Sequence, residues 1–355
     1  EFRRVLFRSA RSSICPDGAY QDGVWKGPES EIISKWLIRK CFARSLTTGT
    51  GHWWFDMWGG WFADEKLMQE LGEYIIIQDN SLMNRDRSSI SEVAVVVDED
   101  ALRYLNVKTG IGIEWNYEQR IALGWTGAPY DIFDLDSFEF VNVNTKKYKL
   151  ILFLCVCIDN EKLNNIISKA DDNGTNICFT YLPGVIRDEY INLENVSTVT
   201  GMKLKKAQLN SIYRTISYSK YVYPIEKEFE PLLIVDDEGA CALAYFSDTN
   251  ETAVSVKKKG NIQIFYASIP NIPAEILREI YRASGVHLYI ETNDVIYVNH
   301  NYLAIHSSFA SQKNIKLRQK CKNIELIDDG IKENFTDEIS IYMEKYQTRI
   351  FAIDQ

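Results

Sequence analysis

Two unbroken apolar runs constrain this chain more than any other feature: Val-Ala-Val-Val-Val at 93–97 and the nine residues at 150–158. A strand that is apolar at every position has both faces buried, which is the pattern of a parallel strand covered by helices above and below. The second run is about half the ~18–20 residues that a membrane helix needs, so it reads as a buried strand. The surrounding pattern agrees. A helix is expected around 118–123, a strand at 130–135, the strongest strand at 148–158, a helix at 160–170, a turn at 171–174 and a further strand at 177–182 closing on Pro183 and Gly184. Strands alternating with helices imply an α/β fold with a parallel, doubly wound sheet.

The flanks read differently. Ser30 is placed to cap a helix over 30–46, in which Ile32, Ile33, Trp36, Leu37, Cys41 and Phe42 follow helical spacing. A Thr- and Gly-rich turn at 47–51 leads into 53–62, and a helix is expected over 64–74, so this region reads as strand, loop, helix. Half of the eight tryptophans fall within 53–61. From 232 the pattern becomes short strands (232–235, 240–246, 252–256, 261–268), then one helix at 270–283 with Pro273 in its first turn. After it come strands at 286–290, 294–298, 302–306, 315–317, 324–327 and 339–342, spaced as in a small antiparallel sandwich.

A chain of 355 residues, 46% apolar and 25% charged, is long enough for two or three domains. Its formal charge is 40 − 49 = −9, which excludes nucleic acid as a main partner because phosphate binding needs clustered cations. The one short basic run, Lys257 to Lys259, precedes Gly260 between two strand-like segments and reads as a solvated hairpin turn. Asp236, Asp237 and Glu238 precede Gly239 and read the same way. Seven cysteines without a CxxC pair, three of them in apolar runs (Cys155, Cys157, Cys178), read as free thiols of a reducing compartment, which favours the cytoplasm. The four histidines are scattered and point to no metal site; no cofactor and no membrane contact is expected. The segment from Arg4 to Ser9 resembles the translation of a sequencing adapter, so residues 1–9 are expected to be an artefact of an assembled DNA fragment.

The tryptophan-rich stretch carries the functional signal. Sugars present C–H faces that stack on aromatic rings, and their hydroxyls need carboxylates or amides. Trp53, Trp54, Trp58 and Trp61 beside Asp56 offer both, and Gly59 and Gly60 permit a tight loop. The same composition also suits an aromatic plug in a core, and composition alone leaves the two readings level.

The stretch at 49–71, with Gly-x-Gly-His-Trp-Trp-Phe-Asp-Met-Trp-Gly-Gly-Trp-Phe before an acidic helix, resembles the last strand and helix of a glycoside-hydrolase (β/α)8 barrel. The closest group is the β-galactosidases of glycoside hydrolase family 42. In that family a flavodoxin-like or glutamine-amidotransferase-like trimerisation domain follows the barrel, and 91–98, 148–159 and 177–184 resemble its strands. Residues 285–289 and 294–299 resemble the passage into the family's C-terminal β-domain. The resemblance therefore implies last barrel elements at 10–85, an amidotransferase-like domain at 86–287, a β-sandwich at 288–355 and a homotrimer. It also implies retaining hydrolysis of glycosides by two carboxylates about 5–5.5 Å apart, at the ends of the fourth and seventh barrel strands. This chain is expected to start at or after the seventh strand, so no catalytic residue is assigned within it and it is expected to be inactive alone. Asp17 is a weak candidate nucleophile, and Glu29 and Glu31 suit a helix N-terminus. Asp56 falls where the eighth strand should end, at the catalytic face, and is expected to hold a sugar hydroxyl of an oligosaccharide or glycoside between the tryptophans. The best-known members carry a Glu-x-x-His pair after this strand; none follows Asp56, and that departure bears on galactose specificity.

Two other functions are compatible with the residues. One is a non-catalytic module for oligomerisation or carbohydrate binding. The other is an amidotransferase-type enzyme, which would need a nucleophilic Cys on a tight strand-to-helix turn with a His and an acid downstream. Cys155, Cys157 and Cys178 read as lying inside strands, so the middle domain is expected to be structural.

Overall fold

Helix α1 (Glu31–Thr48) begins at Ser30, whose hydroxyl accepts the Ile33 N–H, and ends at Gly49 with φ +72°. Helix α2 (Glu65–Asn84) begins at Asp64, whose carboxylate accepts the N–H groups of Lys66 and Leu67. Such caps satisfy donors that the first turn leaves unpaired, each at about 1 kcal/mol. α2 runs ten residues beyond the expected 64–74: the β-branched run Ile75 to Ile77 does not stop it, because propensity is a weak prior against packing. The computed structural model describes residues 28, 30–54, 62–142, 148–207, 213–225, 227–327 and 333–354. No described helix is long and apolar enough to cross a membrane.

The chain divides into two compact units. One comprises residues up to Ile90, Gly127–Pro129 and Tyr289 onward; the other comprises Ser91–Thr126 and Tyr130–Leu288.

In the second unit the strands are β1 (Val93–Val97), β2 (Tyr130–Asp134), β3 (Leu150–Leu154) and β4 (Asn176–Thr180), the hairpin β5 (Ile186–Arg187) and β6 (Tyr190–Ile191), then β7 (Leu204–Lys206), β8 (Thr215–Tyr218), β9 (Tyr221–Pro224), β10 (Leu233–Val235), β11 (Ala240–Phe246), β12 (Thr252–Lys259) and β13 (Ile262–Ala267). The helices are α3 (Gln119–Gly124), α4 (Leu135–Asn142), α5 (Glu161–Asn173), α6 (Leu193–Thr200) and α7 (Ala274–Ala283). Nine strands form one sheet in the order β2-β1-β3-β4-β13-β12-β11-β8-β9. The first five run parallel and the last four antiparallel. The order of the parallel part is that of a doubly wound flavodoxin-like sheet, which reverses direction between β1 and β3. Every residue of β1 and β3 is buried, as their unbroken apolar runs require.

Several details differ from the sequence reading. β3 stops at Leu154 instead of 158, so Cys155 and Cys157 lie beyond the strand; Cys155 takes φ +58°, which no β-ladder accommodates. The short hairpin β8–β9 was not expected, and it extends the sheet by pairing β8 with β11. Lys257 to Lys259 end β12 ahead of Gly260, which turns at φ +56°. Asp237 pairs with Lys257 at 2.7 Å and accepts the Gly239 N–H, as a turn residue does.

In the first unit β14 (Val295–Val298), β15 (Tyr302–His306), β16 (Ser311–Glu325), β17 (Glu333–Met343) and β18 (Thr348–Asp354) form one antiparallel sheet in the order β14-β15-β18-β16-β17. The segments expected at 315–317 and 324–327 are one long strand, with a register shift between Lys316 and Cys321. The expected strand at 286–290 is irregular: the Tyr289 N–H donates to Gly127 and its carbonyl accepts from Lys316. Alternate residues of β15 and β18 face opposite ways. Tyr302, Ala304, Ile350 and Ala352 pack with Ile38, Phe42, Leu67 and Tyr74 of α1 and α2, while Leu303, Ile305, Phe351 and Ile353 pack with Ile315 and Met343. Among the described residues α1 and α2 thus cover one face of β15 and β18, and side chains of β16 and β17 cover the other. An apolar strand face records that it is covered without recording by what.

Candidate functional site

Two places deserve the name of candidate site, one in each unit. The first follows α1. Residues 51–54 are irregular instead of the expected strand. Trp53 is 69% exposed, whereas Trp54 is half-buried against the aromatic core of its unit. The Trp54 ring meets His52 edge-on at 4.7 Å and Phe62 edge-on at 5.7 Å, and it lies 6.3 Å from Tyr74, which stacks flat on Phe42 at 4.3 Å. Of the residues singled out as sugar contacts, Trp53 therefore presents a ring to solvent and Trp54 presents part of one. Asp56, Trp58 and Trp61 lie outside the described residues, as do Asp17 and Glu29. Glu31 opens α1 and pairs with Lys66 at 3.2 Å, in keeping with a helix-start role.

His52 is the residue that sequence reading passed over. The Ser45 hydroxyl donates to the Cys41 carbonyl at 3.1 Å and lies 2.9 Å from His52 Nδ1. Which of these two atoms carries the shared hydrogen follows the imidazole tautomer, and the contact ties the ring to the last turn of α1. Nε2 is buried and has no hydrogen-bond partner. Burial also holds the ring below its ordinary pKa, so it is neutral at pH 7. Beside it, the exposed Trp53 indole offers a face on which the C–H surface of a sugar can stack. The only signal in the sequence was the position of His52 next to the tryptophans.

The second place is the carboxyl edge of the parallel sheet, where doubly wound folds bind ligands. Asp98 follows β1 and is 4% exposed. Its Oδ1 accepts the N–H groups of Asp100 and Ala101, its Oδ2 has no partner, and burial raises its pKa. Cys155 follows β3 in the left-handed conformation and is wholly buried; Cys157 donates weakly to the Ala101 carbonyl at 3.8 Å. Burial drives both thiols upward, aided at Cys155 by Cys157 and then Asp98, and at Cys157 by the charge on Asp98, which takes Cys157 to about 12. The next helix, α5, begins only at Glu161, so Cys155 does not stand on the tight strand-to-helix turn that a nucleophilic Cys needs. His287, the single histidine of this unit, has its N–H on Glu92, just before β1. That is the amino end of the sheet, a five-residue strand of ~3.3 Å per residue away from Cys155. The adjoining space is filled. Trp115 comes from a π-helical turn (Ile113–Glu118) and donates to Thr180 at 2.7 Å, its ring against Tyr181, which in turn meets Phe229.

These thiols should behave as core atoms. A thiol reagent at pH 8 is expected to modify the exposed Cys241 within minutes and to leave Cys155, Cys157 and Cys178 unmodified until denaturant is added. Mass mapping of the labelled peptides checks it, and fast labelling of Cys155 in the folded protein would restore the nucleophile reading. Among the described residues no group of three His, Cys, Asp or Glu side chains is placed to hold a metal ion.

Comparison with known proteins supports the fold. No protein-family model matches the chain, and no curated protein does. Solved structures do. A catalytic mutant of Gan42B, a GH42 β-galactosidase from G. stearothermophilus, matches over 82% of this chain with a TM-score of 0.58 at 15% identity. The β-galactosidase from Bacillus circulans sp. alkalophilus matches over 81% with a TM-score of 0.57 at 15% identity. A polyextremophilic β-galactosidase from the Antarctic haloarchaeon Halorubrum lacusprofundi matches over 81% with a TM-score of 0.54 at 12% identity. The chain spans less than half the length of these structures, 44%, 45% and 42% respectively. The chain thus shares a fold with part of the GH42 β-galactosidases, as its motifs implied.

Proposed function

We propose that this chain is part of a retaining glycoside hydrolase acting on terminal, β-linked sugars in the manner of a β-galactosidase. The observation that carries the proposal is the fold likeness over four-fifths of the chain to several β-galactosidases of more than twice its length. In this reading the chain contributes the closing elements of the barrel, a doubly wound unit and a β-rich unit. Trp53 stacks on a sugar face, and Asp56 with Trp58 and Trp61 completes the rim. The two reacting carboxylates belong to polypeptide outside the chain. The doubly wound unit serves as scaffold, and a homotrimer is its assembly. Its aromatic-filled carboxyl edge and the distance of His287 from Cys155 favour that role over amidotransferase chemistry.

The test is an aryl β-galactoside assay of two proteins: the 355-residue chain, and the same chain extended with its upstream coding sequence. The chain alone is expected at background. The extended protein is expected to hydrolyse the substrate with retention of anomeric configuration. Turnover by the chain alone, or inversion by the extended protein, would refute the assignment.

A further inference from the structure

Helix α2 carries apolar side chains on two sides. Leu67, Leu71 and Tyr74 face the core of its own unit. On the other side Met68, Ile75, Ile76, Leu82 and Met83 are 54%, 63%, 71%, 59% and 82% exposed. At ~100° per residue these five fall within an arc of about 120°. Singly exposed apolar residues are ordinary, but five on one stripe are not. Among the described residues, α1 exposes one large apolar side chain, Ile32, and α5, α6 and α7 expose none. Gly72 also lies on the stripe, with nothing within 4 Å of where a Cβ would stand, so another backbone can approach closely there.

We infer that the outward stripe of α2 is an internal packing surface, covered by polypeptide of the same protein that corresponds to the unmatched remainder of the longer solved structures. This rests on the reading above that the chain is part of a longer hydrolase. Three observations choose that occupant. More than half of each matching structure lies outside the part this chain spans, so polypeptide of the required size exists in that fold. A lipid surface fits poorly, because helices that lie on membranes flank the apolar stripe with cations, and α2 has Lys66 against Glu65, Glu70, Glu73 and Asp79. A second copy fits poorly as well. Asp79 sits within the stripe, and two-fold pairing would bury one from each copy without a countercharge. A different surface can present a donor to Asp79.

The test places a cysteine at the most exposed position, Met83→Cys, in both the 355-residue chain and the upstream-extended protein, with the exposed Cys241 as internal reference. In the chain alone the new thiol is expected to react with a maleimide at a rate near that of Cys241. In the extended protein it is expected to react at least 100-fold more slowly. Ile76→Lys supplies an independent arm: it leaves the melting temperature of the chain alone unchanged and lowers that of the extended protein. Equal labelling rates in the two proteins overturn the inference, as does an in-frame stop codon directly upstream. Protection in the chain alone that is lost on dilution to the monomer overturns it in favour of a second copy. The labelling result does not depend on turnover. Protection without hydrolysis keeps this inference and removes the hydrolase reading, and hydrolysis without protection does the reverse.

Discussion

Replacing Lys313 with Met is expected to destabilise the β-rich unit by about 3–5 kcal/mol. The Lys313 and Asp294 side chains are both 0% exposed, with Nζ 2.9 Å from one carboxylate oxygen and 3.0 Å from the other. The ammonium also donates to the Phe309 carbonyl at 2.9 Å and lies 3.9 Å from the centre of its ring. Asp294 accepts in addition from the Ser308 N–H and the Thr292 hydroxyl. Removing the lysine leaves a carboxylate sealed from water with neutral donors only, and that uncompensated charge is what costs the energy. The double change Lys313→Met with Asp294→Leu removes the charge as well, and it should recover most of the loss. Urea unfolding of the three proteins decides the matter. A single substitution costing under 1 kcal/mol, or a double no better than the single, would show that the pair is not sealed.

The second large effect is expected at Arg39. Its Nε lies 2.8 Å from Glu70 Oε1, and the two side chains are each 3% exposed. The guanidinium also donates to the Thr348 carbonyl at 3.2 Å, and the Tyr74 hydroxyl donates to Glu70 at 2.6 Å. Burial and the Glu70 charge keep the Tyr74 phenol far above its ordinary pKa, so it remains a donor. One network therefore links α1, α2 and β18. Arg39→Met is expected to cost about 3 kcal/mol, the low end of the range for breaking a buried pair, because Lys35 stays within 3.6 Å of Glu70. Adding Lys35→Met should deepen the loss. Arg103→Ala, at an exposed pair with Asp100, serves as the control and should leave the unfolding midpoint unchanged. An equal response to Arg39→Met and Arg103→Ala would contradict the account.

Part of the candidate site was legible in the sequence. The density of tryptophan beside one aspartate singled out the segment as a candidate, and the order of motifs anticipated the fold that the β-galactosidase structures share. What could not be read was the division of labour within it. Trp53 and Trp54 are neighbours of the same type, yet one faces solvent and the other packs on Tyr74. The contact of His52 with Ser45 joins an irregular segment to the last turn of α1, seven residues earlier. Neither fact has a local signature. The thiols illustrate the same limit from the other side. An apolar run through 150–158 gave no sign that the strand ends at Leu154 and that Cys155 takes a left-handed conformation.

By itself the sequence determined the elements whose causes are local. Ser30, Asp64 and Asn160 start helices because their side chains accept N–H groups of the first turn. β1 and β3 are buried strands because no polar residue interrupts them. Only the tertiary structure decided which surface covers which: that β13 pairs in parallel with β4, that α1 and α2 lie against the C-terminal sheet, and that Lys313 finds Asp294 in the interior. The physical reason is that hydrophobic burial is non-directional. An apolar pattern states that a face leaves water, and the partner is chosen by shape, charge and hydrogen bonds among residues far apart in the chain.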